Sequence, residues 1–254
     1  MNTKNIRDFK KSINMRNLQM LTCYDFQTAQ IFNETEIDLL LVGDSLGNVV
    51  LGYDSTIPVG LTEMIIFTKA VKRGAPDKFV VADLPFGTYS TITQGIQLAT
   101  KLYKETSADA IKLEGAFPYQ LKLIERLTQT GIPVMGHIGL KPQSVGQAGG
   151  YFIYGKTQEE KEKLVAEALE LEQAGCFSLV LECVEASAAS NITELLSIPT
   201  IGIGSGKSVD GQVLVINDLL RLGKNKIPKF CEPVANLFET KKNLIQKYLQ
   251  DNHA

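Results

Sequence analysis

The chain has 254 residues, of which 44% are hydrophobic and 21% charged, and its formal net charge is −2. This length is ordinary for one α/β barrel of roughly 250 residues. The near-neutral charge and the lack of a basic run speak against a nucleic-acid partner or an anionic membrane surface. The polar segment 1–15 does not resemble a signal peptide, and the apolar runs are too short to span a bilayer. We therefore expect a cytoplasmic protein without a membrane partner.

Eight short apolar runs follow one another along the chain, and each ends in a polar or Gly-rich corner. Continuous apolar runs are typical of parallel strands that are buried on both faces. The predicted strands span 19–24, 38–42, 79–83, 110–114, 133–137, 178–182, 199–203 and 213–216.

Helical signals alternate with these runs and predict helices over 61–72, 92–105, 119–130, 158–174 and 233–249. Thr157 and Glu160 have capping-box spacing before the fourth helix, and Gly175 follows its end. Only nine residues, 204–212, separate the seventh and eighth runs, which is too few for a full helix. Eight alternating βα units predict an α/β fold, a (β/α)₈ TIM barrel. We expect one domain over 1–254 with N-terminal and C-terminal helical segments.

The predicted strand ends are unusually acidic. Asp44 follows the second strand, and Asp83, Glu114 and Glu182 end the third, fourth and sixth. Because side chains alternate along a strand, Lys112 lies on the same side as Glu114. Several carboxylates cannot stay ionised close together without a counter-charge, and Mg²⁺ is commonly bound by one or two carboxylates plus waters. The pattern predicts a magnesium site at the C-terminal rim of the barrel.

Each of these residues also has a structural interpretation. A single acidic residue at a strand end is more often a helix cap or a solvated corner, whereas four of them with one Lys favour a site. His137, at the end of the fifth strand, can equally be a structural histidine. Cys176 and Cys183 bracket an apolar strand without the paired spacing of a zinc or disulfide framework, and are expected to be small core residues.

The segment 202–208 resembles a phosphate-binding P-loop because it contains Gly206, Lys207 and Ser208. A P-loop would require glycine at position 201, where this chain has Ile201. A Gly-rich barrel corner is the better interpretation.

Eight short motifs at these corners carry a more specific signal. They are T-C-Y-D at 22–25, V-G-D-S-L-G-N-V at 42–49, D-L-P-F-G-T-Y at 83–89, K-L-E-G at 112–115, G-H-I-G-L-K-P-Q-S at 136–144, G-G-Y at 149–151, P-T-I-G-I-G-S-G at 199–206 and D-G-Q-V-L-V at 210–215. In this order and spacing they resemble the ketopantoate hydroxymethyltransferase family, from about residue 21 to 223. The chain departs from the family's usual pattern at Lys156, Glu185 and the tail segment 230–233.

The resemblance implies a barrel related to the phosphoenolpyruvate mutase and isocitrate lyase type. It also implies transfer of a one-carbon unit from methylenetetrahydrofolate to 3-methyl-2-oxobutanoate, giving 2-dehydropantoate, in coenzyme A precursor synthesis. Asp44 and Asp83 match the family's Mg²⁺ ligands and also contact the substrate, and Glu114 acts nearby through water. Ser45 and Lys112 match substrate contacts. The family's assemblies imply a ring-stacked homo-oligomer, commonly a homodecamer.

Glu182 matches the general base of the family, with His137 as the next candidate. Three other functions are weighed against this one. A lyase of the phosphoenolpyruvate mutase type would share the barrel and the metal, but its Cys-containing loop motif is not found. A nucleotide-binding ATPase would rest on the imperfect P-loop. A non-catalytic barrel scaffold is disfavoured by the intact acidic and lysine residues.

Overall fold

The computed structural model describes residue 6 and residues 17–144, 146, 149–150 and 152–252. Eight parallel strands form a closed barrel in chain order, and the last strand pairs with the first. The strands are β1 (Leu18–Thr22), β2 (Leu39–Val42), β3 (Phe79–Asp83), β4 (Ala110–Lys112), β5 (Val134–Gly139), β6 (Ser178–Glu182), β7 (Thr200–Ile203) and β8 (Gly211–Leu214). The predicted barrel and its eight strands are confirmed. β8 starts and ends two residues before the predicted run 213–216, because Ile216 already begins a helix.

Helices alternate with the strands and follow the last of them. They are α1 (Phe26–Asn33), α2 (Leu46–Val49), α3 (Leu61–Gly74), α4 (Ile92–Thr106), α5 (Pro118–Gln129), α6 (Gln158–Gln173), α7 (Ala186–Leu195), α8 (Ile216–Leu219) and α9 (Leu237–Asp251). The five predicted helices correspond to α3–α6 and α9. As predicted, the 204–210 connection contains no helix. Apart from residue 6, the predicted N-terminal helical segment lies outside the described residues.

Among the α-helices named above, four were not predicted from the sequence: α1, α2, α7 and α8. They have only 8, 4, 10 and 4 residues, so each carries little periodic signal. Acidic caps define two of them, since Asp25 accepts a hydrogen bond from the backbone of α1 and Glu185 accepts two from α7. In the part of the chain that the structure describes, no helix is long and apolar enough to cross a membrane.

The core has two layers, one inside the barrel and one between the strands and the helices. Leu39 and Leu41 belong to the inner cluster, whereas Leu40 and Val42 belong to the outer one. This alternation is the two-residue period of a β-strand. Strands buried on both faces explain why their sequences read as continuous apolar runs.

Candidate active site

Side chains alternate along each strand between the inside and the outside of the barrel, and this alternation also places the residues of the site. Phe79, Val81 and Ala110 point into the barrel and belong to its inner apolar cluster. Two residues further along their strands, Asp83 and Lys112 therefore face the same interior at its C-terminal end. Both side chains are buried. The catalytic face expected for a barrel enzyme is thus lined by charge.

The side chains at this end line a cavity of about 90 Å³, called here the acid pocket. It is lined by Thr22, Leu41, Gly43, Asp44, Ser45, Asp83, Lys112, Glu114, His137, Pro142, Val180, Glu182, Ile203, Val213 and Val215. Every predicted site residue is in this set. The predicted juxtaposition of the strand ends is therefore observed, whereas the roles of the individual residues remain predictions.

Lys112 lies at the centre of the buried charges. Its Nζ is 3.1 Å from Oδ1 of Asp83 and 3.9 Å from Oε1 of Glu114. Burial acts to lower the pKa of Lys112, but the attraction of Asp83, Glu114 and Asp44 outweighs it and raises the pKa above its ordinary value. Lys112 is therefore a firmly charged ammonium group at the floor of the pocket.

Asp44 and Asp83 form the least compensated part of the site. The backbone N–H of Asp44 donates to Oδ2 of Asp83 at 3.1 Å, and the Gln143 side chain donates to Oδ2 of Asp44 at 2.8 Å. Burial, Asp83 and Glu114 together raise the pKa of Asp44 well above its ordinary value. Burial also raises the pKa of Asp83, although Lys112 opposes the shift. This pair requires additional positive charge to remain ionised.

His137 joins two acids across the pocket. Its Nδ1 lies 3.4 Å from Oε1 of Glu114, and its Nε2 lies 3.2 Å from Oε2 of Glu182. Burial and Lys112 act to lower the pKa of His137, but the two carboxylates outweigh them and raise it to about 9. His137 can therefore be structural and still serve catalysis, because a protonated ring would hold Glu182 in place.

Glu182 differs from the other acids in its position at the pocket's opening. Its side chain is 17% exposed, against 3% for Glu114 and for Asp83. It is the last residue of strand β6, and the residue before it, Leu181, is fully buried. A carboxylate with one oxygen 3.2 Å from His137 Nε2, and which lines the cavity, is placed to accept a proton from a bound molecule.

Three neutral residues, Gln143, Tyr89 and Tyr24, complete the site and were not singled out from the sequence. Gln143 donates to Asp44 and to the Leu84 carbonyl oxygen, and accepts from the Tyr89 hydroxyl at 2.6 Å. Its backbone N–H donates to Glu114 at 3.2 Å. Gln143 lies within the G-H-I-G-L-K-P-Q-S motif, which was the available signal.

The third neutral residue is Tyr24, whose hydroxyl is 2.8 Å from that of Ser45. Tyr24 is buried, and its burial raises the pKa of the phenol above its ordinary value. The hydroxyl pair fixes the Ser45 side chain at the pocket edge. Tyr24 belongs to the T-C-Y-D motif and Ser45 to the V-G-D-S segment, so this hydroxyl contact joins the two motifs.

The residues present fit a divalent cation with oxygen ligands. The four acids of the pocket exceed its two basic groups, Lys112 and His137, and burial raises the pKa of both Asp44 and Asp83. Within the described ranges, no three His, Cys, Asp or Glu side chains form a preformed metal cluster. Two carboxylates completed by water and substrate oxygens would still meet the preference of Mg²⁺.

The Gly-rich segment 202–208 is a structural corner. The Ser205 hydroxyl donates to the Leu181 carbonyl oxygen at 2.7 Å and accepts from the Val184 backbone at 3.0 Å. Gly204 and Gly206 have φ values of +64° and +81°, which glycine adopts without strain. The segment therefore holds the end of β6, and its predicted failure as a P-loop agrees with this geometry.

A wider cavity of about 570 Å³ adjoins the acid pocket and is called here the outer groove. The two cavities share Asp44, Ser45, Pro142, Glu182, Ile203 and Val215. Other lining residues of the groove are Asn48, Val49, Thr56, Leu140, Cys183, Leu214, Asp218, Asn225, Lys226, Ile227, Pro228, Lys229, Phe230 and Cys231. Glu182 thus lies at the junction of a small charged pocket and a larger, mainly apolar groove.

Fold and site together define a (β/α)₈-barrel enzyme with a carboxylate-rich centre at the C-terminal ends of its strands. A family model described as ketopantoate hydroxymethyltransferase matches residues 1–254. The chain belongs to the ketopantoate hydroxymethyltransferase family. This membership favours a transferase over the lyase, ATPase and scaffold alternatives.

Curated relatives agree with this assignment. A 3-methyl-2-oxobutanoate hydroxymethyltransferase from Leptospira interrogans is 51% identical over 232 residues, covering 91% of this chain and 88% of the relative. The protein of the same name from Thermotoga maritima is 48% identical over 248 residues, covering 97% of this chain and 91% of the relative.

Solved structures show the same fold at much lower identity. A phosphoenolpyruvate phosphomutase from Streptomyces platensis subsp. rosaceus superposes with a TM-score of 0.69 at 11% identity, covering 98% of this chain and 88% of the other. A 2,3-dimethylmalate lyase of the PEP mutase/isocitrate lyase superfamily gives a TM-score of 0.59 at 14% identity, covering 84% and 81%. The prediction that the fold is a barrel of this type is confirmed.

Proposed function

We propose that this chain transfers a hydroxymethyl group from 5,10-methylenetetrahydrofolate to 3-methyl-2-oxobutanoate, giving 2-dehydropantoate, with Mg²⁺ held by Asp44 and Asp83. Family membership and the curated relatives support the reaction. The observation that carries the site assignment is the position of Glu182, which lines both the acid pocket and the outer groove. The carbon that loses a proton must meet the one-carbon donor at such a junction.

The acid pocket suits a small 2-oxo acid. Lys112 supplies a buried positive charge for the anionic end of the substrate, and the fixed Ser45 hydroxyl supplies a hydrogen bond. A Mg²⁺ ion on the two aspartates would polarise the ketone and stabilise negative charge that develops on its oxygen. Glu114, already bound by His137 and by the Gln143 backbone, would act on the ion through water.

The chemistry assigned to this chain begins with one proton transfer. Glu182 takes the proton from C3 of 3-methyl-2-oxobutanoate, and the C–H electron pair becomes the nucleophile of the enolate. C3 then forms a bond to the folate-borne methylene carbon. Both bonds from that carbon to folate nitrogens break, water supplies the hydroxyl group, and tetrahydrofolate leaves with both nitrogens protonated, one proton coming from the water and the other from Glu182. His137 holds the Glu182 carboxylate in position throughout.

One set of assays tests the proposal. Purified protein is stripped with EDTA, and 2-dehydropantoate is measured by mass spectrometry with both substrates and Mg²⁺, without folate, and without Mg²⁺. We expect product only in the complete mixture. In parallel, NMR in D₂O follows exchange of the C3 proton, which should require Mg²⁺ but not folate. Product formation that is equal in EDTA would overturn the metal assignment, and product without folate would overturn the reaction.

The homodecamer implied by the family resemblance is also proposed for this chain. Helix α9 has no buried residue, and it exposes Leu244, Ile245, Tyr248 and Leu249 at 47–66% of their surface. An apolar helix face of this kind is typical of a surface that packs against another subunit. Light scattering coupled to size exclusion should give a decamer, and Ile245→Asp should reduce its size. A monomeric wild-type chain would refute the assembly. Cytoplasmic location likewise remains a prediction.

A further inference from the structure

The outer groove contains polar groups that the reaction at the acid pocket does not use. Asp218, the third residue of helix α8, is half-buried in this groove. Within the described residues, its carboxylate has no hydrogen bond or ion pair, and burial raises its pKa above the ordinary value. Thr56 also lines the groove, and its buried hydroxyl likewise has no partner. Unpaired buried polar groups are uncommon and indicate a ligand or bound water.

The remainder of the groove is suited to a flat, largely apolar ring system. Val49, Leu140, Leu214 and Ile227 line its walls. Its volume of about 570 Å³ is in the range typical of small-molecule sites, roughly 300–1,000 Å³. A ring bound here would reach Glu182, because the groove and the acid pocket are continuous.

The groove is lined by side chains of both charges. Lys226 and Lys229 are exposed lining residues, suited to the glutamate carboxylates of a folate tail. Asp218 offers two acceptor oxygens. The 2-amino-4-oxopyrimidine part of a reduced pterin presents two adjacent N–H donors, at N3 and at the 2-amino group, which match a carboxylate in bidentate geometry.

We propose that the outer groove binds the pterin ring of the one-carbon donor and that Asp218 accepts hydrogen bonds from its N3–H and 2-amino groups. This inference rests on the proposed function, since it assigns the donor subsite of the same reaction. The Thr56 hydroxyl completes the polar contacts of the ring. Asp218 is a binding residue for the cosubstrate and takes no part in proton removal by Glu182.

The test is Asp218→Asn, which keeps the shape of the side chain and replaces one acceptor oxygen with a donor. The KM for methylenetetrahydrofolate should rise about 10- to 100-fold, the usual effect of losing a hydrogen bond to a charged group. The KM for 3-methyl-2-oxobutanoate and the folate-independent exchange of its C3 proton should stay within about twofold of wild type, because Glu182 and Lys112 are untouched. Glu170→Gln removes one carboxylate from the exposed face of α6 and serves as the charge-matched control.

A second measurement separates a loss of ring recognition from a general loss of activity. Wild-type enzyme should use a 2-desamino folate analogue with a KM raised by a similar factor, whereas Asp218→Asn should discriminate far less between the analogue and the natural donor. Asp218 also lines a separate cavity of about 20 Å³, room for about one water molecule. If the variant only lowers the melting temperature and leaves the KM for folate unchanged, Asp218 holds a structural water and the proposal is wrong. Absence of both product and exchange in wild-type enzyme would instead reject the proposed function.

Discussion

Replacing Lys112 with Met tests whether the buried charges of the acid pocket are coupled. The substitution keeps an unbranched side chain of similar length and removes the ammonium group, which is 5% exposed. Asp83 and Glu114, each 3% exposed, would then remain buried without their common partner. Breaking a buried ion pair by truncating one partner typically costs about 3–5 kcal/mol, because it leaves an uncompensated charge.

The distances support a value in that range. With an effective dielectric constant near 20, a unit charge pair is worth about 5 kcal/mol at the 3.1 Å separation from Asp83 and about 4 kcal/mol at the 3.9 Å separation from Glu114. The desolvation of the ammonium group in the wild type opposes this attraction. We therefore expect Lys112→Met to lower the free energy of unfolding by about 3–5 kcal/mol at about pH 8 in EDTA.

The loss should depend on pH in a defined direction. The pKa of Asp83 is already raised, and removing Lys112 raises it further. The folded variant then binds a proton that the unfolded chain releases, so its stability falls as the pH rises from about 5 to about 8. The deficit relative to wild type should consequently be smaller at the acidic end of this range.

Urea unfolding at both pH values measures the effect, and Lys72→Met is the matched control. Lys72 pairs with Asp109 at 2.7 Å, but the two side chains are 17% and 28% exposed, so its loss should cost about 1 kcal/mol or less. In the presence of Mg²⁺, Lys112→Met should also raise the KM for 3-methyl-2-oxobutanoate and lower kcat. Wild-type kinetics, or a stability loss equal to that of the surface control at both pH values, would refute this account of Lys112.

Glu182→Gln should reduce turnover and C3 proton exchange by about 10²- to 10⁴-fold while oxo-acid binding persists. NMR measures the exchange, with Glu185→Gln as the neighbouring control. Exchange equal to that of wild type would make His137 the next candidate base. Asp83→Asn should abolish the Mg²⁺-dependent thermal stabilisation by 3-methyl-2-oxobutanoate, and a retained shift would remove Asp83 from the metal site. Burial raises the pKa of all four thiols, that of Cys183 to about 11, so a disulfide reagent at about pH 8 should react slowly until the protein is unfolded. Gly139→Ala should destabilise the fold by at least about 1–3 kcal/mol in a melting experiment, since φ is +89° there and a Cβ would lie 2.3 Å from the Glu182 carbonyl oxygen; an unchanged melting temperature would contradict this strain.

The barrel could be predicted from sequence because its strands are buried on both faces. The run Leu39–Val42 is apolar throughout, with its residues packed alternately inside and outside the barrel. The long helices were also predicted, since α6 has a capping box and a glycine at its end. Helices of four to ten residues, such as α2 and α7, depend on tertiary packing and a cap rather than on a visible period.

The charged part of the site could be predicted for a similar reason. Strand ends meet on one face of a barrel, so Asp83, Lys112 and Glu182 had to converge once the strands were placed. The contacts of Gln143 could not be predicted, because they join loops 99 and 59 residues apart in sequence. Likewise, Cys176 is buried as expected, whereas Cys183 is only half-buried because it lines the outer groove.

The pKa values of the buried acids in the pocket shift in opposite directions, down for Glu114 and up for Asp44 and Asp83. Burial acts to raise the pKa of Glu114, but the hydrogen bonds from His137 and from the Gln143 backbone help to lower it below its ordinary value. Asp44 has no comparable compensation, and its pKa is raised by burial and by Asp83. A divalent cation would therefore stabilise the Asp44–Asp83 pair far more than it would stabilise Glu114. We infer that the two aspartates hold the ion directly and that Glu114 contacts it through water, in keeping with the tendency of Mg²⁺ to retain part of its hydration shell.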